Sequence, residues 1–162
     1  MTRRYPQLPK KVLMRDSKIA AKIILAWDVE QDEEKVLNIY LKEQGNLSDE
    51  RYWELMRTIW VLCGTVENAD TFRKLMQSKR KQRHYFSTPE EAKRLREMPD
   101  SFEAYRATND RADKGLSWTI SKEYALYYKE TFNKSLILTG EFNKRDVFAY
   151  IERNNEFEII IL

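Results

Sequence analysis

The sequence predicts an α+β protein: a helical N-terminal region, residues 1–98, followed by a compact β-rich core, residues 99–162. Three observations carry that expectation. Apolar residues recur at helical spacing through the first region. After Pro99 the texture changes to short runs of β-branched and aromatic residues. With 162 residues, 42% of them hydrophobic and 12% aromatic, the chain can bury one core and carry a helical elaboration on it.

Residues 17–27 set Ile19, Ile23, Ile24 and Trp27 at helical spacing, with Ser17 as the candidate N-cap. Residues 32–44 repeat the pattern with Val36, Leu37, Tyr40 and Leu41, and Gly45 is placed to cap the end. Ser48 precedes Tyr52, Leu55, Met56, Ile59 and Leu62, and Gly64 closes that helix. A further helix over 68–79 is built around Phe72, Leu75 and Met76. Lys79, Arg80, Lys81 and Arg83 then form a basic run ending in His84-Tyr85-Phe86. Thr88-Pro89-Glu90-Glu91 opens a short helix in which Thr88 and Glu91 make a capping box and Pro89 suits the first turn; Pro99 ends it. Strands are expected over 102–108, 116–120, 135–142, 147–151 and 157–162. One helix, 122–132, interrupts them, with Tyr124, Ala125 and Tyr128 on one face.

Composition narrows the chemistry. A single Cys63 rules out an intramolecular disulfide and a cysteine-rich zinc site, and a single His84 rules out a multi-histidine metal centre, so no metal is expected. Cys63 reads as a small buried hydrophobe. No apolar stretch approaches the roughly 20 residues that span a bilayer. Residues 1–6 carry charge but no apolar segment of a secretion signal. A soluble cytoplasmic protein is the expectation. The net charge of +3 is too small to indicate a nucleic-acid partner by itself.

The last sixty or so residues hold the pattern with chemical content. Arg106 sits near the end of a strand, where a guanidinium fork suits phosphate oxygens; its plain structural alternative is an ion pair with Glu103 or Asp110. In Ser117-Trp118-Thr119, strand alternation puts two hydroxyls on one face and the indole on the other. Glu156 and Glu158 are expected on one face of the closing strand, about 7 Å apart at their α-carbons. Phe157, Ile159, Ile160, Ile161 and Leu162 make that strand apolar on both faces. Two carboxylates there are costly unless they are solvated in a cleft or paired.

Tyr105-Arg106, Gly115-Leu116-Ser117-Trp118-Thr119 and Glu156-Phe157-Glu158, in that order, resemble the arginine–serine–glutamate branch of the ADP-ribosyltransferase family. The flanks agree: Tyr124-Ala125-Leu126-Tyr127-Tyr128 follows Ser-Trp-Thr, and Val147-Phe148-Ala149-Tyr150-Ile151 leads to the Glu-x-Glu. The resemblance covers residues 101–162 and points to a small, phage or bacterial member. It implies NAD as substrate, bound by Arg106, Ala107, Ser117, Trp118, Thr119, Tyr124 and Tyr128. Ala107 stands where the family often has glycine. The catalytic set it implies is Glu158, Glu156, Arg106 and Ser117. Glu158 would stabilise the positive charge that develops on the ribose, and Glu156 would orient or deprotonate the acceptor. A glutamate at that first position is associated in the family with arginine acceptors, so the implied partner is a host or self protein modified on arginine.

Hydrolysis of NAD is a close variant of this reading. A non-catalytic nucleotide-binding protein of the same fold is one alternative. Another is nucleic-acid association through residues 73–83, where Arg73, Lys74, Lys79, Arg80, Lys81 and Arg83 lie beside Tyr85 and Phe86.

Overall fold

The computed structural model describes residues 7–65, 67–113 and 115–162. Residues 1–6, read above for a secretion signal, lie outside the described residues, as do Val66 and Lys114. The chain divides into two compact units: the residues up to Gly64 together with Ser78–Phe86, and Thr65–Gln77 together with Ser87–Leu162.

The first unit is helical. Helix α1, Lys10–Leu25, buries Asp16, Ile19, Ala20 and Ile23 and runs on into a π-helical turn, Ala26–Glu30. It starts well before Ser17, which therefore lies mid-helix and is not the cap. The carbonyl of Pro9 accepts from the Val12 and Leu13 amides and launches the first turn. That turn exposes Leu13 and Met14, so no apolar stripe marked it. Helix α2, Glu33–Glu43, is capped by the Asp32 carboxylate, which accepts from the Lys35 amide at 2.9 Å, and buries Val36, Leu37 and Tyr40. Gly45 does not cap it. The chain passes into a 3-10 turn, Gln44–Asn46, with Gln44 still in the right-handed helical region, so no left-handed residue is required there.

Helix α3, Asp49–Cys63, starts at Ser48, whose hydroxyl accepts from the Arg51 amide at 3.3 Å and donates to Asp16 at 2.6 Å. The buried Asp16 is thus bonded to a helix cap, as a buried charge must be. Cys63 is fully buried, and burial pushes its thiol up to about 11, which keeps it an unreactive core side chain.

In the second unit, helix α4, Ala69–Met76, buries Phe72, Leu75 and Met76. Helix α5, Pro89–Glu97, has the expected capping box: the Thr88 hydroxyl accepts from the Glu91 amide at 3.1 Å, and the Glu91 carboxylate accepts from the Thr88 amide at 2.7 Å. Strands β1 (Ser101–Thr108), β2 (Ser117–Thr119), β3 (Leu136–Asn143), β4 (Val147–Ile151) and β5 (Glu158–Ile161) follow, with helix α6 (Lys122–Thr131) between β2 and β3. They form one five-stranded antiparallel sheet in the order β3-β1-β2-β5-β4.

The core of this unit gathers Ala104, Val147, Tyr150 and Ile159, packed by Leu95 and Met98 from the α5 end and by Phe102, Trp118 and Phe142. Helix α6 lies against β1, β2 and β3. Helices at the N-terminus and an antiparallel sheet after them make this an α+β protein. No described helix is long and apolar enough to cross a membrane.

Candidate active site

The sheet order sets β2 between β1 and β5, so the three motif-bearing strands are neighbours in the middle of the sheet. Tyr105 pairs with Thr119, and Thr119 pairs with Glu158, a single row across three strands. Paired residues in an antiparallel ladder point to the same face. Tyr105, Thr119 and Glu158 therefore share one face, and Ser117, two residues from Thr119, joins them. Trp118 points the other way into the core, its ring edge-on to Phe142 with centroids 5.0 Å apart. It contributes backbone, not a stacking indole, to the face that carries the hydroxyls.

Glu156 departs from expectation. Strand β5 begins at Glu158, and Glu156 belongs to the preceding turn. Phe157 between them has φ 46°, the left-handed region, which ends the alternation that would have set both glutamates on one strand face. Asn154 and Asn155 share that conformation at φ 47° and 61°, where asparagine is tolerated. Thr119 holds the turn: its hydroxyl donates to the Glu156 carbonyl at 2.5 Å, and the Ile120 amide donates to the Phe157 carbonyl at 3.2 Å.

What joins the two carboxylates is Arg153. Its Nε lies 2.7 Å from Glu156 Oε2 and its Nη2 lies 3.8 Å from Glu158 Oε2. Of the two alternatives for acids on an apolar strand, pairing is the one realised. The Glu158 side chain is 2% exposed and that of Glu156 16%. Burial raises the Glu156 carboxyl above its ordinary value, and the charge and hydrogen bond of Arg153 pull against that rise. Burial and then the Glu156 carboxylate push the Tyr124 phenol up to about 12, which sets this α6 tyrosine in the electrostatic reach of the pair. Tyr128 stands beside it, ring centroids 6.3 Å apart, and Phe132 continues the row 4.3 Å beyond Tyr128.

Arg106 heads a second cluster. Strands β1 and β3 pair without a slip over all eight residues of β1, so Arg106 leaves the sheet on the face opposite Tyr105. Ala107, paired with Ile137, returns to the Tyr105 face. The guanidinium pairs neither with Glu103 nor with Asp110. It grips Asp113 through Nε at 3.0 Å and Nη2 at 3.3 Å, and Nη1 donates to the Ser117 carbonyl at 2.6 Å.

Gly115 makes room for this grip. A Cβ there would lie 1.9 Å from Nη2 of Arg106. Burial alone would raise the Asp113 carboxyl; hydrogen bonds from Thr108, Arg106 and the Gly115 amide, with the arginine charge, outweigh it and hold the group below its ordinary value. Strand β2 connects the clusters, since the Ser117 carbonyl serves Arg106 while Thr119 serves Glu156.

Two residues that matter here carried little signal in the sequence. Arg153 begins an Arg-Asn-Asn-Glu turn, in which a basic residue three before an acid across two left-handed formers was the available hint. Asp113 was one acid among several in a loop. The basic stretch 73–83 is divided between the two compact units, residues 73–77 in one and 78–83 in the other. Within the first unit Arg80 is engaged internally, donating to the carbonyls of Gln44 and Leu47 at 2.9 Å and to Asp49 at 3.0 Å, 4.7 Å over the Tyr52 ring. No family model matches the chain, and neither curated proteins nor solved structures contain a match to it.

Proposed function

We propose that this chain is an NAD-dependent mono-ADP-ribosyltransferase. It breaks the nicotinamide–ribose bond and transfers ADP-ribose to an arginine side chain of a protein. One observation carries the reading: Tyr105, Thr119 and Glu158 form a row across three adjacent strands, and a guanidinium already bridges Glu158 and Glu156 at the end of that row.

Glu158, fixed on a strand and buried, suits a carboxylate that stabilises an oxocarbenium-like ribose. Glu156 has a raised carboxyl and already pairs with a guanidinium, which suits the group that orients and deprotonates an arginine acceptor. Ser117 and Thr119 floor the nicotinamide pocket with Trp118 as backbone, and Tyr124 and Tyr128 wall it. Arg106, the implied diphosphate ligand, leaves the sheet on the face opposite Glu158 and uses three of its five donors on Asp113 and Ser117, so its position lends that role no support. The two-point grip of Asp113 on Arg106 favours the second reading, a non-catalytic protein that keeps the fold.

Release of nicotinamide from NAD by the purified chain separates the two. The transferase reading expects release that Glu158→Gln abolishes while the fold stays intact. Equal turnover by the variant, or no turnover by the native chain, overturns it.

A further inference from the structure

Helix α1 carries an apolar stripe on its outward side as well as on its buried one. Leu13, Met14, Ile24 and Leu25 are 43%, 53%, 51% and 63% exposed, and Val29, in the π-helical turn that continues the helix, is 69% exposed. Single exposed aliphatics are ordinary, but a contiguous strip of them marks a binding surface. Met14, Ser17, Ala21 and Ile24 follow one another at steps of three, four and three, which keeps them on one line along the helix. Leu13 and Leu25 widen that line, and the small Ser17 and Ala21 at its middle let another helix come close. Lys10 and Asp28 continue it by a step of four at either end, and all six positions on the line are exposed.

We infer that this stripe is the interface of a homodimer, in which α1 pairs antiparallel with α1 of a second copy about a two-fold axis. The charges at its ends choose the occupant. In an antiparallel pair centred between Ser17 and Ala21, Met14 lies across from Ile24 and Ser17 from Ala21, and Lys10 lies across from Asp28 at both ends. The same surface meets itself, as a two-fold interface requires. A parallel pair would set Lys10 against Lys10 and Asp28 against Asp28. The competing occupant is an anionic membrane, which the flanking Lys11 and Lys18 would attract; the exposed Asp28 and Glu30 at the other end of the stripe oppose it. The contact runs about 27 Å from Lys10 to Asp28 at the rise of a helix. Two helices of that length make an interface at the small end of the specific range, so the pair should form at micromolar concentration.

Sedimentation velocity of the full chain, from low to high micromolar concentration, tests the pairing and should show a reversible shift from monomer to dimer. Ile24→Asp should abolish the dimer, with a thermal melt of the dilute variant to check that it folds. Lys10→Asp should weaken dimerisation by about tenfold, because attraction turns to repulsion at both ends. Adding Asp28→Lys to that variant should restore the native affinity. Both exchanges suit the helix dipole, so neither endangers the fold. A chain that stays monomeric at the highest concentration overturns the inference. So does a dimer that Ile24→Asp leaves intact, or one whose loss in Lys10→Asp the second exchange fails to rescue. Flotation with phosphatidylserine vesicles runs alongside: capture of a monomeric chain that Ile24→Asp prevents gives the stripe to a membrane surface and overturns the dimer.

Discussion

Gly115→Ala is the perturbation whose consequence the geometry defines most closely. A Cβ built there falls 1.9 Å from Nη2, 2.2 Å from Cζ and 2.7 Å from Nε of Arg106. The side chain cannot swing aside freely, because Asp113 and the Ser117 carbonyl hold it at three points and it is 12% exposed. Moving it breaks the grip on a carboxylate that is 4% exposed. Removing one partner of a buried pair costs about 3–5 kcal/mol. Asp113 keeps the Gly115 amide at 2.7 Å, so the loss should be nearer 2–4 kcal/mol. In a chain of this size each kcal/mol lowers the melting temperature by about 2–4 °C, giving a fall on the order of 10 °C.

Gly45→Ala is the internal control. Apart from its own turn and chain neighbours, no described heavy atom lies within 4 Å of a Cβ there, so its effect should stay within about 0.5 kcal/mol. Urea unfolding of both variants measures the contrast. A Gly115→Ala loss no larger than that of Gly45→Ala would refute the claim that the guanidinium is locked.

Two further outcomes follow from the turn before β5. Thr119→Val removes the hydroxyl that donates to the Glu156 carbonyl and accepts from the Ser121 amide, and should cost about 1–3 kcal/mol in urea unfolding, with the Glu156 turn loosened. Glu156 titrates above its ordinary value because burial disfavours its charge, so the folded state holds this proton more tightly than the unfolded state does. Its contribution to stability is present below the ordinary glutamate value and is lost as pH rises through the raised one. Glu156→Gln should flatten that loss in a pH series of melts, and transfer to agmatine by the native chain should rise through the same window as the carboxylate forms.

Local signals determined much of this protein. Thr88, Pro89 and Glu91 specify the start of α5 by bonds closed within four residues, and the β-rich segments after Pro99 became strands to within a residue or two. The alternation of Ser117, Trp118 and Thr119 was legible because period two belongs to any strand. The start of α1 was not, because its first turn points Leu13 and Met14 to the surface and is launched by a proline carbonyl.

Only the tertiary structure decided the rest. Sheet order made β1, β2 and β5 neighbours, and pairing register set Thr119 between Tyr105 and Glu158. The left-handed Phe157 moved Glu156 off the strand. Arg153 and Asp113 acquired their partners through turns and loops, where contacts depend on φ and on what happens to lie alongside. Periodicity reports which way a side chain faces along its own element, but which charge it meets is settled by the strand or turn that packs beside it.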